Sequence, residues 1–266
     1  MSTEKPPYAL VTGASSGIGE CFARALAARK QNLILVARSK DKLIALAAEL
    51  RAAHGIAAEP IDFDLSVTGA AASLAALLHE RELQVELLIN NAGFGARGKF
   101  HELPLDRQSE MLRLNIVALV ELTHHLLPAM VERRHGGIIN VSSTASFQPV
   151  PNTILYAATK AFVTSFSVGL AEELRSSGVI VVTLCPGGTQ TNFGVASGFG
   201  ETRLPGGVQP PEEVVRVALK KLDRGGGQVV PGFKNKAGVF VQRFVPRSWA
   251  VKVAARIVRK REPLSK

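Results

Sequence analysis

The sequence predicts a single α/β domain, a doubly wound parallel sheet with helices on both faces, and three observations carry that prediction. Short apolar runs of five to eight residues alternate with longer alanine- and leucine-rich segments along most of the 266-residue chain. Hydrophobic residues make up 46% of the chain, enough for one large core. A glycine-rich turn joins the first run to the first helical segment, as a βα unit requires.

The apolar runs, in order, are YALVT (8–12), NLILVA (32–37), AAEPIDF (57–63), VELLIN (85–90), GGIINVSS (136–143) and GVIVVTLC (178–185). Their near-continuous hydrophobicity fits strands covered on both faces, the condition of a parallel sheet. Between them, segments 17–30, 40–53, 67–82, 106–133 and 155–176 have helical spacing and strong helix formers. A glycine- and proline-rich stretch, 186–211, breaks the alternation and reads as a mobile loop, followed by a last helix at 211–223 and a strand near Gln228 to Val230. The domain is expected to span 1–232, loop included, with a basic extension over 233–266. Right-handed crossovers would place ligands beyond the carboxyl ends of the strands.

The composition excludes several classes. Nothing before the first glycine reads as a leader, and no stretch of eighteen consecutive apolar residues is present, so a cytoplasmic chain is expected. Cys21 and Cys185 form neither a disulfide framework nor a zinc spacing, and each reads as a buried thiol. The six histidines are scattered or sit in the long helical segment, and no metal site is proposed from them.

Chemistry begins at TGASSGIG, Thr12 to Gly19, between a strand and a helix. Gly13, Gly17 and Gly19 would let the backbone pass close to a pyrophosphate held at the helix N-terminus, with Ser15, Ser16 and Ile18 alongside. A second feature is YAATK: Tyr156 and Lys160 stand four apart, one turn along the same helix face. An ammonium so close would favour the phenolate and lower the tyrosine pKa from its ordinary value of about 10. Taken alone, that pair reads first as a surface tyrosine and a surface lysine.

In TGxxxGxG spacing, in order and in placement, these motifs resemble the short-chain dehydrogenase/reductase family, over roughly residues 6–232. The family pattern continues with Asp64-Leu65 after the third strand, Asn90-Asn91-Ala92-Gly93 after the fourth, Asn115 in the long helix, Ser143 thirteen residues before Tyr156, and Pro186-Gly187 after the sixth strand. The resemblance implies a Rossmann-like fold, a homodimer or homotetramer, and hydride exchange between a nicotinamide cofactor and a carbonyl or alcohol. It implies that Tyr156 gives or takes the proton, Ser143 holds the substrate oxygen, Lys160 lowers the tyrosine pKa and holds the nicotinamide ribose, and Asn115 holds a water linking Lys160 to solvent. Asp64, Leu65, Asn91, Ala92, Gly93, Pro186, Gly187, Thr189 and Thr191 are expected along the cofactor. Ser142, one residue before Ser143, should point away from the catalytic face by strand alternation.

At the end of the second strand an NAD site wants a carboxylate and an NADP site a cation for the 2′-phosphate. Here Ala37 is followed by Arg38, whose planar fork matches phosphate, so NADP(H) is the expected cofactor, with Ser39, Lys42 and Ser15 as helpers. The bland alternative is an arginine at the sheet edge. The segments expected to wall the substrate carry Phe147, Val150, Ile154, Leu155, Phe193, Phe199 and Leu204 and few charges, which favours a lipophilic carbonyl: a steroid, a retinoid, a 3-oxoacyl chain or a xenobiotic ketone. A different class stays open, a non-catalytic NADP-binding redox sensor or docking protein of the same fold.

Residues 1–219 hold 19 Lys and Arg against 20 Asp and Glu, while residues 220–266 hold 13 against 2. From Ser248, helical spacing gathers Lys252, Arg256, Arg259 and Lys260 on one side and Val251, Val253, Ala254, Ile257 and Val258 on the other, with Trp249 at the margin. Such a helix either lies on an anionic membrane through 236–266 or packs its apolar face on the domain or a second subunit. No aromatic residues are interleaved for stacking bases, so a nucleic-acid partner is not expected.

Overall fold

The computed structural model describes residues 6–191, 193–197 and 207–259. Its main sheet contains β1 (Tyr8–Thr12), β2 (Asn32–Ala37), β3 (Ala58–Asp62), β4 (Val85–Asn90), β5 (Gly136–Val141), β6 (Val179–Leu184) and, near the end of the chain, β9 (Gly227–Val229). They run in the order β3-β2-β1-β4-β5-β6-β9, and every neighbouring pair is parallel. The apolar runs form strands because alternate residues serve two cores. Ala9, Val11, Leu33 and Leu35 enter one core, and Leu10, Ile34 and Val36 enter the other.

The first core is closed by α1 (Gly17–Ala28), α2 (Lys40–His54) and α8 (Pro211–Leu222), through Phe22, Leu43, Leu50 and Leu219. The second is closed by α3 (Ala70–Glu80), α5 (Ala118–Glu132) and α6 (Ile154–Glu173), through Leu74, Leu122 and Leu170. Each fully buried leucine, such as Leu10 or Leu43, contributes about 1.5–3 kcal/mol relative to an exposed one. Helix α8 starts on Pro211, with Glu212 and Glu213 in its first turn and Lys220 and Lys221 in its last, the charge order its dipole favours.

The long helical segment expected over 106–133 is not one regular helix. It comprises α4 (Leu105–Leu112), a π turn (Arg113–Val117) and α5, and Asn115 lies in the π turn. Helices α5 and α6 are held on the sheet by a buried polar row. Asn90 donates to Thr123 (3.1 Å) and to Asn140 (2.9 Å), and Asn140 donates to Ser167 (2.8 Å). By length and composition, Leu105–Glu132 and Ile154–Glu173 are apolar enough to cross a membrane. They carry the buried Asn115 and Lys160 and pack on the sheet, the behaviour of core helices.

The loop expected over 186–211 contains structure of its own. Strands β7 (Gly188–Thr189) and β8 (Val208–Gln209) pair in parallel, and a short α7 (Phe193–Ala196) lies between them. Beyond β9, two helices follow, α9 (Phe233–Gln242) and α10 (Arg247–Arg259). Cys185 is buried as expected, but Cys21 is half-buried, with its sulfur 3.5 Å from Glu212 Oε1.

Candidate active site

The sheet order reverses between β1 and β4, and a cleft of about 1240 Å³ opens at the carboxyl ends of the strands there. One flank is the glycine turn. Gly13 (φ +65°) and Gly17 (φ +59°) have left-handed backbones, and a side-chain carbon on Gly19 would overlap the Gly13 carbonyl oxygen. The turn is fastened to the segment after β4 by Thr12. Its hydroxyl donates to Ile89 O (3.1 Å) and accepts from Asn91 N (3.0 Å) and Ala92 N (2.9 Å). The Asn91 amide donates back to Thr12 O (2.9 Å) and Gly13 O (3.3 Å), so this side chain shapes the turn. Gly13, Ser15, Ser16, Gly17 and Ile18 all line the cleft.

Arg38 leaves β2 at the rim, 60% exposed, with Nη1 3.2 Å from Glu110 Oε1 and 3.8 Å from Asp64 Oδ2. Glu110 also meets Arg107 at 3.4 Å, and Arg107 lies 3.9 Å over the Phe94 ring. Burial acts to raise the Asp64 carboxyl, but two hydrogen bonds from Ser66 and the charge of Arg38 hold it below the usual carboxylate range. Leu65 and Ser39 line the cleft; Lys42 is exposed outside it.

The other flank carries the acid–base candidates. Ser143 follows β5 by two residues in extended conformation and caps the short 3-10 turn Thr144–Phe147, its Oγ accepting from Ala145 N (3.1 Å). That hydroxyl also hydrogen-bonds the phenol of Tyr156. Ser142 turns the other way, donating to Lys160 O (2.8 Å) and meeting Thr164 Oγ1 (2.7 Å). Tyr156 and Lys160 occupy the first two turns of α6, with Lys160 Nζ 5.9 Å from the Tyr156 ring centroid. The Lys160 ammonium is buried and donates to Val141 O (2.8 Å).

The electrostatics correct the expectation of a depressed tyrosine. Burial pushes Tyr156 up to about 12, against the opposing bond from Ser143, and burial pulls Lys160 down to about 8. Desolvation outweighs the Ser143 bond, so the phenol is favoured over the phenolate at neutral pH. The side chain of Asn115 is held by protein atoms. Its Oδ1 accepts from Phe94 N (3.1 Å), and its Nδ2 donates to Phe94 O (3.0 Å) and Thr159 Oγ1 (3.1 Å). Both amide hydrogens are therefore engaged by protein, and the side chain pins the loop after β4 to α6. Gly93 makes room for this arrangement, since a side-chain carbon there would stand 2.9 Å from Asn115 Oδ1 and 3.5 Å from Lys160 Nζ.

Pro186, Gly187, Thr189 and Thr191 form the far wall. Pro186 O accepts from Thr144 N (2.8 Å), and Thr189 Oγ1 donates to Gly187 O (3.2 Å). Of the expected substrate wall, Val150 and Phe193 line the cleft, the latter with its ring 5.6 Å from Tyr156. Ile154 and Leu155 line a small separate recess instead, Phe147 lines neither, and Phe199 and Leu204 lie outside the described residues. The wall is completed by residues that sequence reasoning missed. Phe94, Arg97 and Arg107 come from the β4–α4 region, and Lys234, Val239 and Gln242 come from α9. The cleft is thus less poor in charge than expected. The signal available for α9 was the i, i+3, i+4, i+7 spacing of Asn235, Gly238, Val239 and Gln242, all of which face the cleft.

A family profile described as short chain dehydrogenase matches residues 7–198. The chain is 35% identical over 229 residues to a very-long-chain 3-oxoacyl-CoA reductase of Anas platyrhynchos, covering 80% of this chain and 67% of that protein. Among solved structures it resembles a short-chain dehydrogenase from Sphingobium yanoikuyae in complex with NADPH, with a TM-score of 0.80, 34% identity, and 91% and 97% of the two chains covered. It also resembles the bulky-bulky ketone specific alcohol dehydrogenase from Comamonas testosteroni, with a TM-score of 0.76, 31% identity, and 92% and 97% covered. Sequence, sheet order and cleft agree, and the chain belongs to the short-chain dehydrogenase family.

Proposed function

We propose that this dehydrogenase uses NADP(H) to interconvert a lipophilic ketone or aldehyde with its alcohol, working at neutral pH as a reductase. The observation that carries the reading is the Tyr156 phenol, hydrogen-bonded to Ser143 in the cleft that also holds the glycine turn and Arg38. The residues present fit the cofactor. Gly13, Gly17 and Gly19 leave backbone bare for a pyrophosphate, and Arg38 offers a cation to a 2′-phosphate where an NAD site would offer a carboxylate. At about 1240 Å³, the cleft exceeds the usual 300–1,000 Å³ of a single-ligand site, leaving room for a substrate beside a dinucleotide.

Bound NADPH supplies the hydride. Tyr156 gives its phenolic proton to the substrate oxygen, and Ser143 Oγ orients that oxygen and stabilises the charge developing on it. The Lys160 ammonium, 5.9 Å from the ring centroid, favours the phenolate left behind. Asn115 keeps Phe94 and α6 in register beneath these groups. A non-catalytic sensor needs none of this acid–base set, so the enzyme reading is preferred.

Phe94, Val150, Phe193 and Val239 favour an apolar substrate body, while Arg97, Arg107 and Lys234 favour one with an anionic head, as an acyl-CoA has. The names of the two relatives, a 3-oxoacyl-CoA reductase and a bulky-ketone dehydrogenase, support the same chemistry. Exposed Val117, Val131, Phe162 and Val168 on the π turn, α5 and α6 support a homodimer or homotetramer, and the free thiols of Cys21 and Cys185 support a cytoplasmic site of action. The test is NADPH consumption across a panel of 3-oxoacyl thioesters, steroid ketones and small ketones. Turnover of none of them would sink the proposal.

A further inference from the structure

Helices α9 and α10 have two different faces. The inner face of α9, through Asn235, Val239 and Gln242, lines the cleft, and Ala254 of α10, 4% exposed, lines it too. Asn235 anchors α9, donating to Gln209 Oε1 (3.1 Å) and Pro231 O (3.1 Å) and filling the space a side chain on Gly187 would need. The outer face is apolar and exposed. Phe233 is 87% exposed, Phe244 74%, Trp249 67% and Phe240 58%, and Phe240 meets Phe244 edge-on, with centroids 5.3 Å apart. Cations share that face. Lys236 and Arg243 flank Phe240, and on α10 the exposed residues Trp249, Lys252, Val253 and Arg256 fall at i, i+3, i+4 and i+7. The apolar side expected for the tail is therefore split, with Ala254 packed inward and Trp249 and Val253 turned out; the side chains of Ile257, Val258, Arg259 and Lys260 lie outside the described residues.

We propose that the outer face of α9 and α10 docks on an anionic lipid bilayer and holds the cleft on their inner face close to it, so that a lipid-dissolved substrate has a short path to the site. Charge selects the occupant: the segment 220–266 holds 13 Lys and Arg against 2 Asp and Glu, while the rest of the chain is nearly neutral. Aromatic rings within a field of cations match the interface between headgroups and acyl chains, and each cation near an anionic surface multiplies partitioning about fivefold. A second copy of the chain would instead set these cations against one another. The route of substrate entry rests on the reductase reading; the docking does not.

The test is co-sedimentation of the full chain with phosphatidylcholine vesicles with and without phosphatidylglycerol. Binding is expected only with the anionic lipid and should fall as salt rises. Lys252→Gln/Arg256→Gln should weaken it about 25-fold, and Phe240→Ser/Trp249→Ser should abolish it. All four side chains are exposed, so both variants should fold and reduce a water-soluble ketone as the parent does. Wild-type protein that stays in the supernatant at low salt, or variants that bind as it does, would overturn the proposal. So would an oligomer that Phe240→Ser/Trp249→Ser splits while vesicles go unbound, since the face would then belong to a second copy. If no carbonyl is reduced without vesicles, the reductase reading fails, and sedimentation still decides the docking.

Discussion

Replacing Lys160 by methionine tests the energetics of the site, because the lysine is buried and its proton equilibrium differs between the folded and unfolded chain. Burial lowers its pKa from 10.5 to about 8. Below pH 8 both states carry the proton, and the full cost of burying the ammonium, about 3 kcal/mol, is present. As pH rises through 8 the folded chain loses the proton first, the cost shrinks, and above 10.5 it is gone. Stability should therefore rise with pH in this window, because the unfolded state binds more protons. Integrated from pH 7 to 9.5, the gain from this residue alone is about 2 kcal/mol. Tyr156 changes this by only about 0.2 kcal/mol in the opposite direction, since its folded pKa of about 12 and its ordinary value of 10.0 both lie above pH 9.5, and it is common to both proteins. Lys160→Met also leaves Val141 O without its 2.8 Å donor, a cost of about 1–3 kcal/mol that does not change with pH. Urea unfolding of both proteins without dinucleotide, at intervals from pH 7 to 9.5, isolates the lysine as the difference between two curves. The wild-type curve should climb about 2 kcal/mol relative to the variant. Parallel curves would refute the assignment of Lys160 as a desolvated cation.

Arg38→Asp should weaken NADPH by about 2–3 kcal/mol, roughly 30- to 150-fold, and improve NADH, read as the ratio of kcat/KM for the two cofactors; an unchanged ratio returns Arg38 to the sheet edge. Glu110→Gln removes the carboxylate 3.2 Å from that guanidinium and should tighten NADPH while leaving NADH alone, as titration by fluorescence would show. Gly19→Ala would drive a methyl into the Gly13 carbonyl and the Asn91 amide, costing about 1–3 kcal/mol and several degrees of Tm, with weaker NADPH binding; an unshifted melting curve would mean that the turn has room to give.

Much of the fold is written locally. The strands announce themselves as apolar runs because both faces are buried, and TGASSGIG announces its turn because only glycine tolerates the backbone of Gly13 and Gly17. The π turn at Asn115 is not local in origin. Asn115 bonds Phe94 and Thr159, 21 and 44 residues away, and no helical period records that. The same holds for the acid–base pair. Spacing puts Tyr156 and Lys160 on one face, but the direction of their pKa values follows from desolvation by the surrounding fold, which the spacing does not contain. Helix α9 escaped notice because glycine and β-branched residues weaken its helical signal, and its place in the cleft is fixed by Asn235 against Gly187.

The central claim is that the Tyr156 phenol donates the proton to a reduced carbonyl, and Tyr156→Phe tests it most directly. The variant keeps the ring beside Phe193 and loses only the hydroxyl. On whichever carbonyl the wild-type enzyme reduces fastest, kcat with NADPH should fall by about 10²–10⁴-fold, while the NADPH dissociation constant stays within a few fold. Turnover near the wild-type rate would contradict the account.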